Sequence, residues 1–256
     1  MTRRITKFKI RLIFRADFHI CVIISEKILR TDFMKVDTKD RLTAEIATTD
    51  FFDKLPAEIR GCTLTKIFEV NGDKFIYFTC ANENTHRALT AYFHEETSEY
   101  KIRVKIGLTE FCLTNFFTRN FQRFIENLDA KLDATIQKLN APVNTKTDLF
   151  IGSQNLGDWD YAKNLPKNLD GFELFIAPDN PVKITNGSYI ILNYSDFANQ
   201  SDFTIFYNIY TGGYSGESRI KLVPYVSYTF DAKNLVELAT KLQKNLSAEL
   251  QRIRNF

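Results

Sequence analysis

Two stretches, KLPAEIRGCTL at 54–64 and NLPKNLDGFEL at 164–174, decide how this chain is read. Leu55, Pro56, Gly61 and Leu64 each meet an identical residue 110 positions later, at Leu165, Pro166, Gly171 and Leu174. The match continues downstream in the same order. NGDKFIYF at 71–78 meets NGSYIIL at 186–192, offset by 115, with the extra residues inside the turn-rich APDNPVKIT. LTAYF at 89–93 meets FTIFY at 203–207, offset by 114, and YKIRVKI at 100–106 meets SRIKLV at 218–223, offset by 118. Phe121, Phe124, Leu128, Leu132, Ile136 and Leu139 meet Leu235, Leu238, Leu242, Leu246, Leu250 and Ile253, all offset by 114. Collinear matches with gaps at turn signals predict a duplicated fold.

Each unit has a physical grammar. Asn71-Gly72 and Asn186-Gly187 sit between apolar runs, the pattern of a tight hairpin whose turn needs positive φ. A second hairpin is expected around EETSE in the first unit and TGGYSGE in the second, where Gly212, Gly213 and Gly216 loosen the backbone. The apolar stripes ending each unit have helical spacing. In the second unit Asp231 is the expected N-cap of a helix that ends near Arg254. The prediction is α+β: a ββββα unit used twice, the two packed about a pseudo-twofold axis as in a fused homodimer. The domain reading is a basic arm over 1–33, a first repeat over 34–140, a linker over 141–157 and a second repeat over 158–256.

Charge is unevenly placed. Residues 1–33 hold eight Lys or Arg and three acids, leaving 26 basic and 28 acidic residues in the rest. The body is close to neutral, so bulk charge makes no case for nucleic acid. The arm's apolar run FHICVII is too short to span a membrane and makes a poor signal peptide. It reads as a flexible arm or as a mis-assigned start upstream of Met34. Cys21, Cys62, Cys80 and Cys112 form no C-x-x-C, and the last three lie in apolar strand-like runs, which points to a reducing, cytoplasmic setting.

The search for chemistry returns few constellations. His86 and His94 flank a strand without a zinc-like partner pattern, and His94 falls opposite Asn208 in the repeat. GGYSGES at 212–218 lacks the lysine and following helix of a phosphate loop, and Ser215 is not framed as G-x-S-x-G. It reads as a hairpin. No cofactor or metal is implied, and no catalytic residue is assigned. Two surfaces remain. Lys101, Arg103 and Lys105 on one strand, and Arg219 and Lys221 on its counterpart, would join Tyr92 and Phe206 in a basic, aromatic face suited to single-stranded nucleic acid. An ordinary solvated sheet face gives the same pattern. A pocket between the units would bring together His94, Glu99, Tyr207 and Glu217.

The function expected is therefore non-enzymatic: a chaperone-like, inhibitor or immunity-type protein that pairs with another protein through exposed strand edges and aromatic surface. Nucleic-acid binding is the first alternative, and an enzyme with its pocket between the repeats the second. The sequence sets no oligomeric state.

Overall fold

The computed structural model describes residues 34–140, 156–184 and 187–256; the basic arm and nearly all of the expected linker lie outside them. The first half opens with helices α1 (Val36–Ile46) and α2 (Phe51–Lys54). Strands β1 (Glu58–Ile59), β2 (Cys62–Asn71), β3 (Lys74–Asn82), β4 (Arg87–His94), β5 (Glu99–Ile106) and β6 (Thr109–Cys112) follow, then helix α3 (Phe121–Asn140). The second half has strands β7 (Asn168–Leu169), β8 (Phe172–Ile176), β9 (Val182–Lys183), β10 (Ser188–Asp196), β11 (Ser201–Asn208), β12 (Gly213–Ile220) and β13 (Val223–Ala232). It ends in helix α4 (Leu235–Arg254). The architecture is α+β, with two antiparallel sheets. The first runs β1-β2-β3-β4-β5-β6 and the second β13-β12-β11-β10-β8-β7, with β9 also paired to β10. The sheets thus hold six and seven strands, more than the four per unit expected; β1, β7 and β9, with two residues each, carry little periodicity.

The recurring motif has a local cause. Ile59 pairs with Cys62 and Leu169 with Phe172, so Arg60-Gly61 and Asp170-Gly171 are two-residue turns. All four residues have positive φ, the type I′ geometry that makes glycine the natural second residue. Each turn is clasped by the long helix of its own half. Arg60 forms a bidentate pair with Asp133 at 2.8 and 2.9 Å, and Asp170 accepts from Ser247 at 2.7 Å and Gln251 at 3.1 Å.

Two turn assignments and one helix cap need correction. Asn71 pairs with Lys74, so the β2–β3 turn is Gly72-Asp73, one residue later than expected; only its glycine has positive φ, as a type II′ turn requires. The counterpart at Asn186-Gly187 lies partly outside the described residues. The expected β11–β12 hairpin forms, but its turn is residues 209–212, with Gly212 at positive φ, and the GYSGESRI that follows is strand β12. Gly216 sits in it because a Cβ there would come within 3.0 Å of Phe230, whose ring crosses the strand. SRIKLV therefore is not the equivalent of YKIRVKI: Lys221 and Leu222 form the β12–β13 turn, both at positive φ. Finally, Asp231 lies in β13. The helix is capped by Asn234, which accepts from the Glu237 amide at 2.9 Å, while Glu237 reaches back to the Lys233 amide.

Alternation decides each sheet's buried face. Phe93, Ala91 and Leu89 stand opposite Tyr100, Ile102 and Val104, and all pack into one core with Phe124, Leu128, Leu132 and Ile136 of α3. Tyr189, Tyr194, Phe203, Ile205 and Tyr207 form a second core with Leu238, Leu242, Leu246 and Leu250 of α4. Ile176, Val182 and Ile190 of the second sheet belong to the first core, as does half-buried Phe206 at its margin, so the halves share apolar contact. Around this contact His86 stacks on Phe197 at 3.8 Å, and the Phe175 ring lies against the β5–β6 turn at Gly107. These contacts join the β5–β6 end of one sheet to the outer face of the other.

One core feature is testable at once. Tyr77 is fully buried among Phe52, Phe75, Phe121 and Phe124, and its hydroxyl has no hydrogen-bond partner among the described residues. Tyr77→Phe is expected to stabilise the fold by about 1–2 kcal/mol in urea unfolding, because an unmet hydroxyl is desolvated for nothing. A loss of stability would show instead that the hydroxyl is bonded.

Candidate functional site

β13, VPYVSYTFDA, terminates the second sheet, with β12 its only strand neighbour among the described residues. Its outer backbone edge carries no further strand among the described residues. Only Phe230 and Ala232 are buried; the rest is exposed or half-exposed on both faces. Leu222, Val223, Tyr225, Val226 and Tyr228 are all exposed large apolar residues, with Val226 at 64% and Tyr228 at 77%. No charge occurs between Lys221 and Asp231. Natural edge strands are usually shortened, charged or bulged to prevent pairing. This one is ten residues long; Pro224 near its start, a bulge between Ser227 and Ala232 and the exposed Asp231 blunt its two ends, and the run Tyr225–Ser227 between them carries no such device. Sequence reasoning missed it. Its valines and tyrosines have strand propensity, but the repeat alignment had already assigned the fourth strand to SRIKLV.

The outer face of the second sheet, where the halves meet, carries a buried polar network. Asn193 stands opposite Thr204, Ser195 opposite Asp202, Asp202 opposite Arg219 and Thr204 opposite Glu217, which sets all six side chains toward one face. Asp202 is 1% exposed. Arg219 donates to Asp202 at 3.1 Å, to Glu217 at 3.4 Å and, across the junction, to Thr109 at 3.3 Å. Asn193 donates to Thr204 at 2.8 Å and to Asp202 at 3.3 Å, and Ser195 donates to Asn193 at 2.6 Å. Burial pushes the Asp202 carboxyl up to about 6 against the opposing pull of Arg219. Every charge here has a partner, which suits a network that fixes how surfaces meet.

The expected basic face is placed differently. Tyr92 and Lys101 are cross-strand partners, and Arg103 lies 5.9 Å from the Tyr92 ring centre, so these residues do share a face. Yet Tyr92 and Lys101 are buried, and the charges are matched by Glu99 at 3.1 Å from Lys101 and Glu110 at 3.1 Å from Arg103. Lys101 holds the half-buried Glu99 carboxyl below its ordinary range. Only Lys105 is fully exposed on that strand. In the second sheet Arg219 is enclosed in the polar network, and Phe206 packs at the margin of the first core. Lys221 lies on the β12–β13 turn and donates to the Phe256 carbonyl at 3.0 Å. The correction is that the two sets do not form one exposed basic surface, because antiparallel pairing places acids beside the bases.

The expected pocket also separates into three surroundings. His94 and Glu99 are cross-strand partners at the end of β4 and β5. Tyr207 packs against Tyr214 in the second core, the ring centres 5.0 Å apart. Glu217 belongs to the polar network. Alternation is the reason: Tyr207 and Glu217 point to opposite faces of one sheet. His94 is instead brought to Asp73, with Nε2 2.8 Å from the carboxylate, while Nδ1 lies 3.0 Å from the Thr97 hydroxyl. Burial raises the Asp73 pKa, but Lys74 and His94 together bring it below its ordinary value. No helix among the described residues is long and apolar enough to cross a membrane. The chain matches no protein family, no curated protein and no solved structure.

Proposed function

We propose that this chain is a non-enzymatic binding protein, working in a reducing compartment, that takes up an extended segment of another polypeptide along β13. The observation that carries it is a ten-residue edge strand that is uncharged from Val223 to Phe230 and exposes its valines and tyrosines. Main-chain hydrogen bonds along such an edge supply affinity, and alternate side chains supply selectivity. The occupant that fits is an uncharged strand with alternating apolar residues, since a charged one would meet Val226 and Tyr228 with nothing to pair its charge. Cys62 and Cys80 are buried thiols outside any disulfide, and burial pushes the Cys80 thiol up to about 12, which suits a structural and unreactive cysteine.

The scaffold that presents the edge is read as an internal duplication. Its support is the spacing of equivalent elements. Lys74 and Ser188, Arg87 and Ser201, Glu99 and Gly213, and Phe121 and Leu235 open matching strands and helices, each pair 114 positions apart. The helix clasps of the two type I′ turns, Asp133 and Ser247, stand at the same spacing. The long β2 is matched by β8 and β9, interrupted at Ala177–Pro181 where the register gains four residues. β6 has only four residues where β13 has ten, so the docking edge belongs to the second half.

The test is selection of peptides from a random displayed library against the full chain, with counter-selection against the double variant Val226→Lys, Tyr228→Lys. Both positions are exposed, so the variant keeps its fold, while lysine on an edge opposes pairing. Enriched peptides with alternating apolar residues are expected to bind the variant at least tenfold more weakly. They should also protect β13 amides from exchange. Peptides that bind both proteins equally, or no enrichment, would remove the edge as the docking element.

A further inference from the structure

We propose that Asp73, His94 and Glu96 form a site for a divalent first-row transition ion, with Zn²⁺ the natural probe. The three residues come from two adjoining hairpin ends: the Gly72-Asp73 turn, the last residue of β4, and the turn that leads into β5. Pairing of Lys74 with His94 holds the two ends side by side, and the Glu95 amide donates to the Asp73 carbonyl at 2.8 Å. One ligand atom from each of the three side chains lies within 4.8 Å of the others. Zinc bonds to nitrogen and oxygen of about 2.0–2.2 Å require ligand atoms closer together than that, roughly 3.3–4.4 Å apart. The exposed Glu96 side chain closes the difference by rotation, while Asp73 and His94, now in direct contact at 2.8 Å, need to part by only about 0.5 Å to admit the ion.

The surroundings favour an ion over a simple ion pair. Thr97 Oγ1 lies 3.0 Å from His94 Nδ1, so when Nδ1 carries the proton the Nε2 lone pair is turned toward the carboxylates. Holding the second imidazole nitrogen in this way is the usual support of a ligating histidine. Lys74 engages Oδ1 of Asp73 at 3.1 Å and leaves Oδ2 facing His94. Two carboxylates about one imidazole supply two negative charges and mixed nitrogen–oxygen donors, a set that suits Zn²⁺ or Mn²⁺ better than a thiophilic ion. Three protein ligands leave a coordination position for water. The sequence hid this site because its residues are 21 and 23 positions from Asp73, in a spacing set by strand pairing and not by a motif.

The experiment is calorimetric titration of the full, chelator-treated chain with ZnCl₂ at neutral pH, beside Asp73→Asn, His94→Gln and Glu96→Gln. One equivalent is expected to bind the native chain. Asp73→Asn and His94→Gln, each checked for native circular dichroism, should weaken it at least tenfold, and Glu96→Gln should weaken it severalfold. Co²⁺ at the site should give visible bands of a nitrogen–oxygen set without a thiolate charge-transfer band. Zinc binding unchanged in both Asp73→Asn and His94→Gln overturns the proposal, as does a native dissociation constant weaker than about 100 μM.

Discussion

Arg219→Met destabilises the fold by about 3–5 kcal/mol at neutral pH, because it leaves the Asp202 carboxylate buried without its counter-charge. Methionine keeps most of the stem's packing, so the loss reports the charge and not a cavity. The same variant loses far less under acid conditions. The folded Asp202 pKa is raised from 3.8 to about 6 in the native chain, and it rises further once Arg219 is gone. A carboxyl with a raised folded pKa contributes stability that is fully present below its unfolded value and is lost as pH climbs through the folded one. In the native chain that window runs from 3.8 to about 6 and is of the order of 3 kcal/mol. Urea unfolding of native protein and Arg219→Met at successive pH values measures both effects. Asp202→Asn combined with Arg219→Met should recover most of the neutral-pH loss, since neither charge is then stranded. A loss below about 1 kcal/mol, or one that does not shrink on acidification, would mean that water reaches the network.

Phe230→Ala should also cost about 3–5 kcal/mol, the range for truncating a buried aromatic. Phe230 is 1% exposed, packs on Phe203 at 4.6 Å and covers Gly216. Its consequence is local as well as global. Phe230 and Ala232 are the only buried side chains of β13, so from Val223 to Ser227 the strand is held chiefly by its ladder to β12. Native-state hydrogen exchange should therefore show β13 amides losing protection before those of β11, at denaturant concentrations where the rest remains folded. Peptide binding should fall with them if the edge is the docking element. Uniform loss of protection across the second sheet would show that β13 belongs to its cooperative unit.

The halves differ in how far their chemistry was legible. The glycine after each LP recurs because a type I′ turn restricts which residues fit, and such local rules are written in adjacent positions. The stripes of α3 and α4 are likewise local, since helical period depends only on spacing along the chain. The Asn-Gly register slipped by one because Gly72 alone supplies the positive φ, and both turn types permit glycine there. The helix start moved from Asp231 to Asn234 because strand β13 extended through the earlier residue. Two acids that neutralise the basic stripe, Glu99 and Glu110, were visible as letters but not as neighbours.

By itself, the sequence determined the α+β class, the two long helices with their buried stripes, and the turns whose backbone needs glycine. These depend on interactions within a few residues of one another. The tertiary structure decided which sheet faces meet, that Arg219 and Asp202 are enclosed together, that β13 is the last strand of its sheet among the described residues, and that Asp73 lies beside His94. Each of those follows from pairing between segments far apart in the chain, where burial and charge are set by the partner and not by the residue's own neighbours.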